Sequence, residues 1–267
     1  MLSADKIQIS VVMPTYNRAG MIQHAIRSVV DQTFKNWELI IIDDGSTDGT
    51  KRIVESFAHP RIIYKRIDHS GFVSKVRNEG NRMARADIIA VHDSDDLAFP
   101  DRLEEIYSCF ESNQDADVVY HGMYMRFYDP FHDAFSRAIR PALPYSKEHL
   151  MNEQYIPGQI AYKRDIVLKF PYLESVKCCD DYQMLLQLSL EGCNFKPIFK
   201  NLYEYCDSPD SINVSGELDG SRKRDIKIIL DWLKEKYNID GHAMLQKTIN
   251  SEQIISTEFI HNEQKMA

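Results

Sequence analysis

Short apolar runs and polar turns alternate along the first hundred residues, and the period of the pattern alternates with them. Ile7 to Met13 is an apolar run of strand length, broken by Pro14-Thr15-Tyr16-Asn17-Arg18. Ile22, Ala25, Ile26, Val29 and Val30 then recur at the three-and-four spacing of one helix face. Glu38 to Asp43 predicts a second strand, and its centre, Leu39-Ile40-Ile41-Ile42, is apolar at every position. A strand without alternation is one covered on both faces, as in a parallel sheet. Asp44-Gly45-Ser46-Thr47-Asp48-Gly49 is a turn rich in helix-capping residues, and it predicts a helix through Ile53, Val54 and Phe57. Arg61 to Arg66 predicts a third strand, and a helix carrying Val76 and Met83 follows. Asp87 to His92 predicts a fourth strand. Pro100 then opens a helix with Leu103, Ile106, Tyr107 and Phe110 on one face.

Strands alternating with helices predict a doubly wound α/β sheet. Ligands of such sheets bind beyond the carboxyl ends of the strands. Pro14–Arg18, Asp43–Asp48 and Asp93–Asp96 all fall there and are expected to share one crevice. The pattern loosens after residue 115. Asp117 to Tyr120 and Met123 to Tyr128 predict two strands, read as a hairpin through His121-Gly122. Residues 129–160 hold Pro130, Pro141, Pro144 and Pro157 and no clear period, which suits a long functional loop or subdomain such as an acceptor site. Gln159 and Tyr162 are candidates for that site. Asp181 to Leu190 and Arg222 to Tyr237 predict helices, and the last twenty residues predict a weakly amphipathic docking helix. The expected organisation is a nucleotide-binding half over about 1–115, an acceptor-side half over about 116–215, and a C-terminal helical extension over 216–267.

Composition narrows the partners. The net charge of −8 argues against nucleic acid. No apolar stretch approaches the roughly twenty residues that span a bilayer. The start, Met1-Leu2-Ser3-Ala4-Asp5-Lys6, lacks the apolar core of a signal peptide. The expectation is a cytoplasmic protein, compatible with peripheral work at the inner face of a membrane. Five cysteines without a C-x-x-C pair argue against a disulfide framework and against structural zinc. They read as small buried or half-buried thiols; the alternative for adjacent Cys178-Cys179 is a redox pair.

The chemistry concentrates at Asp93-Ser94-Asp95-Asp96, which follows the apolar run Ile88-Ile89-Ala90-Val91. Three carboxylates at one strand end repel unless something positive sits among them. A hard divalent cation completed by a phosphate-bearing ligand meets that need. The competing reading makes these residues the cap and first turn of the Pro100 helix, for which three carboxylates are more than enough. Asp43-Asp44 also suffices as a plain turn, and Asp180-Asp181 as an acidic first helical turn. Arg77 could pair with Glu79 or a sheet-edge Asp. His92 and His121 read as hydrogen-bonding histidines rather than ligands. The chain has no P-loop and no G-x-G-x-x-G, which sets aside kinases and dehydrogenases.

These segments resemble a known family. Val11-Val12-Met13-Pro14-Thr15-Tyr16-Asn17-Arg18, Asp31-Gln32-Thr33-Phe34, Trp37-Glu38 and Ile42-Asp43-Asp44-Gly45-Ser46-Thr47-Asp48 are similar, in order, to the family 2 inverting glycosyltransferases of GT-A fold. Val76-Arg77-Asn78, Asp93–Asp96 and Pro100-Asp101-Arg102-Leu103 continue the likeness, which is dense over 7–105. It thins over 157–215, where Asp180-Asp181-Tyr182-Gln183-Met184-Leu185-Leu186 resembles the family's acidic helix start.

The resemblance implies a GT-A fold, a Rossmann-like mixed sheet flanked by helices, with an irregular acceptor-side region and C-terminal helices. It implies transfer from a UDP-sugar to a glycan, lipid-linked or protein acceptor. Asp44 would read the uracil, Tyr16 would stack on it, and Pro14, Thr15, Asn17, Arg77, Asp93 and Ser94 would complete the nucleotide pocket. Asp95, with Asp93, would hold Mn2+ or Mg2+. Asp181 would be the general base, with Asp180 as the alternative. The Gln-x-x-Arg-Trp pattern of processive synthases is absent, which implies one sugar or a few per encounter. The C-terminal helices offer a surface for a homodimer. Two rivals remain: a sugar-nucleotide pyrophosphorylase, which the loop after the first strand disfavours for want of glycine before Gly20, and an inactive nucleotide-sugar-binding module.

Overall fold

The computed structural model describes residues 6–129, 134–206, 220–239 and 257–258. Its first half follows the pattern closely: β1 (Ile9–Thr15), α1 (Ile22–Val30), β2 (Trp37–Asp43), α2 (Thr50–Ser56), β3 (Ile62–Arg66), α3 (Val73–Met83) and β4 (Ile88–Val91). A two-residue strand β5 (Leu97–Ala98) and α4 (Arg102–Ser112) close that half. The second half runs β6 (Val118–Asp129), β7 (Ala134–Arg140), α5 (Lys147–Asn152), β8 (Ala161–Lys163), α6 (Arg164–Lys169), α7 (Asp180–Leu190), β9 (Phe195–Cys206), α8 (Ser221–Tyr237) and β10 (Thr257–Glu258).

One mixed sheet carries the strands in the order β10-β7-β6-β8-β4-β1-β2-β3, with β9 beside β6 and β5 beside β9. β4, β1, β2 and β3 pair in parallel. β8 is antiparallel to both β4 and β6 and joins the halves. Every residue of β1, β2 and β4 is buried, which is why these runs lack alternation. Val11, Met13, Leu39 and Ile41 face a core closed by α1, α2 and α4. Val12, Ile40 and Ile42 face the opposite core, closed by α3, α7 and α8. Burying each such aliphatic side chain stabilises the fold by about 1.5–3 kcal/mol, before the entropy of ordering the chain is set against it.

The structure departs from the sequence reading in the second half. His121-Gly122 is not a turn. β6 is a single strand of 12 residues, and its register against β9 shifts between His121 and Met123. A two-residue hairpin needs positive φ at its centre, and Gly122 does not adopt it. Gly122 supplies room instead: a Cβ there would meet Asn201 Oδ1 at 2.2 Å and the Ala142 backbone N at 2.9 Å. The true hairpin partner of β6 is β7, inside the stretch expected to be a loop. Of the last twenty residues only Thr257 and Glu258 are described, and they pair with β7 as a strand rather than extend a docking helix. Pro130 lies outside the described residues.

Candidate active site

The ends of β1, β2 and β4 and the start of α7 surround one cleft of about 1010 Å3. Pro14, Thr15, Tyr16, Asn17, Asp44, Arg77, Asp93, Ser94, Asp95 and Asp181 all line it, with Gln159, so the structure brings the candidate nucleotide, metal and base residues to one place. Tyr162 does not join them. It is buried in the core, its hydroxyl donating to Asn81 Oδ1 at 3.3 Å.

The two aspartates at the end of β2 divide the work. Asp43 is fully buried. It accepts from the Ser46 backbone N–H at 2.7 Å and from the Tyr64 hydroxyl at 2.5 Å, so it shapes the turn. Asp44 faces the cleft. Its two oxygens accept the backbone N–H groups of Ser70, at 2.8 Å, and Gly71, at 2.9 Å. His69 Nδ1 lies 3.0 Å from Asp44 Oδ2, and the His69 ring stacks on Tyr16 with centroids 4.2 Å apart. Asn17 has φ +49° and ties the two turns together. Its N–H donates to Ser46 Oγ at 2.9 Å, and its Oδ1 accepts from the Thr47 N–H at 2.8 Å.

The acidic cluster after β4 is compensated from within the protein. Asp93 Oδ1 accepts from Arg77 at 2.7 Å and Oδ2 from Gln159 Nε2 at 2.8 Å. Burial opposes the charge of Asp93, but Arg77 and Gln159 outweigh it and hold the carboxyl below its usual range. Asp95 pairs with Arg18 Nε at 3.1 Å, while burial and the charge of Asp93 push its carboxyl up. Asp96 is buried deeper and is pushed well above the usual range by burial and its acidic neighbours. One Asp96 oxygen accepts from the Cys206 N–H at 2.8 Å, and the other has no partner. Repulsion among the three therefore does not by itself demand a cation; Arg18 and Arg77 relieve much of it.

Arg77 is the hinge of the arrangement. It is buried, and its guanidinium also donates to Asp180 across the cleft floor, so its neighbours are Asp93 and Asp180 rather than Glu79. Burial disfavours its charge, but the two carboxylates keep it protonated far above neutrality. Asp180 is sealed beneath it, and burial pushes that carboxyl up to about 7. Asp181, the next residue, is half-buried and opens to the cleft. Its Oδ2 accepts from Gln154 Nε2 at 2.8 Å, and the Gln154 carbonyl accepts from Arg140. Gly158 lets the backbone pass this close: a Cβ there would lie 2.7 Å from Asp181 Cβ.

Beneath the cleft Arg102 is fully buried. It donates to His121 Nε2 at 2.9 Å, to the Val91 carbonyl at 2.8 Å and to the Gln159 carbonyl at 3.1 Å. His92 and His121 are buried neutral imidazoles, each pushed down to about 3 by burial and by Arg102. Arg140, Gln154 and Gly158 escaped the sequence reading because they lie in the aperiodic 129–160 stretch. Arg18 was visible at the end of the first loop, but nothing in its spacing points to Asp95.

No helix among the described residues is long and apolar enough to cross a membrane. Residues 10–174 match the family model described as Glycosyl transferase family 2. The putative glycosyltransferase EpsE of Bacillus subtilis is 34% identical over 218 residues, which cover 76% of this chain and 74% of that one. The putative colanic acid biosynthesis glycosyl transferase WcaA of Escherichia coli is 29% identical over 189 residues, covering 68% and 66%. S. aureus TarS superposes with a TM-score of 0.67 at 19% identity, over 91% of this chain and 43% of TarS. TarS 1-349 in complex with UDP-GlcNAc gives 0.64 at 16%, over 92% of this chain and 77% of that one. The likeness in structure establishes the GT-A fold, and the match in sequence over most of the chain establishes more: this protein belongs to glycosyltransferase family 2 and is a glycosyltransferase.

Proposed function

We propose that the cleft takes a UDP-sugar and transfers its sugar, with inversion, to an acceptor hydroxyl in bacterial polysaccharide or glycoconjugate synthesis. One observation carries this reading. Asp181, half-buried and held by Gln154, lines the same cleft as Asp44 and Asp95, while its neighbour Asp180 is buried and ion-paired to Arg77. The name of WcaA and the ligand of TarS 1-349 point the same way.

Asp44 is the reader of the base. Its carboxylate, held by two backbone N–H groups, is oriented to accept from a uracil imide. Tyr16, one face of which rests on His69, offers the other to the base, and such stacks contribute about 1–3 kcal/mol. Asp93, gripped by Arg77 and Gln159, is a fixed wall beside the ribose and diphosphate. The donor set fits a hard divalent cation such as Mn2+ or Mg2+. Asp95 presents a carboxylate to the cleft, and Asp96 holds a buried oxygen with no partner. Asp95 would be the direct ligand, with Arg18 yielding its place; Asp93, already engaged through both oxygens, would act through water. When bound, the cation neutralises charge growing on the departing diphosphate.

Asp181 takes the proton of the acceptor hydroxyl as the new bond forms on the face opposite the diphosphate. It stands in the first turn of α7. Gln154 fixes the carboxylate's direction. Asp180, which also borders the cleft but is buried and bonded to Arg77, supports the floor.

The test is a titration of UDP, GDP, CDP and ADP with and without Mn2+, followed by a sugar screen with the nucleotide that binds. Expected are tight, Mn2+-dependent UDP binding lost in Asp95→Asn, and about a 10²–10⁴-fold fall in kcat in Asp181→Asn with nucleotide binding retained. Preference for another nucleotide sinks the role of Asp44. Metal-dependent binding without transfer to any acceptor supports the inactive binding module, and pyrophosphate-dependent release of a nucleoside triphosphate supports the pyrophosphorylase.

A further inference from the structure

Three and two residues before Asp181 the chain carries Cys178 and Cys179, and both line the cleft wall. Adjacent side chains commonly diverge. Here the two sulfurs converge, lying within 4.8 Å of each other. A carboxylate from α8 meets them. One oxygen of Asp225 and the two sulfurs all lie within 4.8 Å of one another. Asp225 is fully buried and held rigidly. Its Oδ2 accepts the backbone N–H groups of Lys177 at 2.8 Å, Cys178 at 2.6 Å and Cys179 at 3.3 Å. Its Oδ1 has no partner at all. A buried carboxylate oxygen without a donor is costly, and Asp225 carries one while its carboxylate also meets the two sulfurs.

We propose that Cys178, Cys179 and Asp225 form a binding site for a thiophilic divalent cation, Zn2+ foremost. Tetrahedral zinc holds sulfur at about 2.3 Å and carboxylate oxygen at about 2.0–2.2 Å, which places two sulfurs about 3.8 Å apart. The three side chains need contract by only about 1 Å to reach that geometry. Cys178 and Cys179 border the cleft, which supplies an entry path and an open fourth position. The site is distinct in kind from the oxygen-only cluster at Asp95, since thiolates select zinc over manganese and magnesium. A sequence reading misses it because the third ligand comes from 46 residues farther on, outside every C-x-x-C spacing.

Binding exchanges two thiol protons for one Zn2+, so the net charge of the cluster does not change. The consequence is mechanical. The cation ties the start of α7, and with it the backbone of Asp181, to α8.

The full chain, reduced and metal-free, is titrated with Zn2+ against a chromophoric chelator, and separately with Co2+ while near-ultraviolet absorption is read. Expected are one Zn2+ per chain, a thiolate-to-cobalt charge-transfer band and a higher Tm on Zn2+ addition. All three vanish in the Cys178→Ser/Cys179→Ser variant, which keeps Cys109, Cys193 and Cys206 as internal controls. Asp225→Asn keeps an acceptor for the three N–H groups and binds about tenfold or more weakly; circular dichroism checks that both variants fold. Unchanged Zn2+ affinity in either variant, or a cobalt spectrum without the charge-transfer band, overturns the proposal. None of these readouts depends on nucleotide or transfer chemistry, so the proposed function stands or falls separately.

Discussion

On the proposed base-binding side of the cleft, Asp44 and the turns around it stand at the ends of parallel strands and are fixed largely by backbone N–H groups. Ser70 and Gly71 hold Asp44, and Ser46 and Thr47 hold the turn around Asp43 and Asn17. On the proposed acceptor side, Asp181 is fixed by side chains and by shape: Gln154 on one oxygen and Gly158 against its Cβ, with Arg140 on the Gln154 carbonyl. Backbone donors survive almost any substitution of the residues that carry them. Side-chain supports do not. The two sides should therefore differ sharply in how they respond to mutation.

The strongest test breaks the joint between them. Arg77 belongs to α3 but grips Asp180 at the start of α7 as well as Asp93. Arg77→Met strips the buried Asp180 of its ion pair and Asp93 of one of its two donors, and should cost about 3–5 kcal/mol in urea denaturation. A loss below 1 kcal/mol would mean that water reaches this floor. Next comes Gly158→Ala. The added methyl collides with Asp181 and should destabilise by about 1–3 kcal/mol, while kcat falls and nucleotide affinity holds. An unchanged kcat would show that Asp181 has room to move and is not fixed by its surroundings.

A matched pair sharpens the comparison further. Gln154→Ala removes a hydrogen bond to a charged group and should lower kcat by about tenfold. Ser70→Ala alters a residue whose backbone, not side chain, holds Asp44, so UDP affinity measured by calorimetry should stay within about twofold. Equal effects would erase the distinction. The smallest effect at neutral pH belongs to the frame under both sides. His92 and His121 have folded values of about 3 against an ordinary 6.5. Keeping them neutral contributes stability that is complete above pH 6.5 and is lost as pH falls toward 3. His121→Gln, which preserves an acceptor for Arg102, should show a shallower loss of stability between pH 6.5 and 4.

The same contrast explains what could be read from the sequence. Each polar turn of the donor side follows a largely apolar strand, so Asp44 and the Asp93 cluster announce themselves by position. Ile9–Thr15 and Trp37–Asp43 lie within a residue or two of the pattern's edges. The second half hides its strands for identifiable reasons. β9 contains Pro197 and shifts register opposite Gly122, β8 is three residues long, and β7 mixes Arg137 and Arg140 into its run. Arg140, Gln154 and Gly158 contribute through distance to Asp181, and distance in space has no period in the chain. The repulsion argument for a cation at Asp93–Asp96 overlooked Arg18 and Arg77 for the same reason.

β6 has a consequence for how this enzyme can change over generations. Its first four residues are locked into the core beside β8 and β9, whereas Met125 and Phe127, beyond the irregularity at Gly122, line the cleft. One continuous element thus joins a root packed into the core to a tip that shapes the cleft wall. Substitutions at the tip change the contour of the cleft with little disturbance of the buried root, so binding shape and scaffold stability are carried by different residues of one strand.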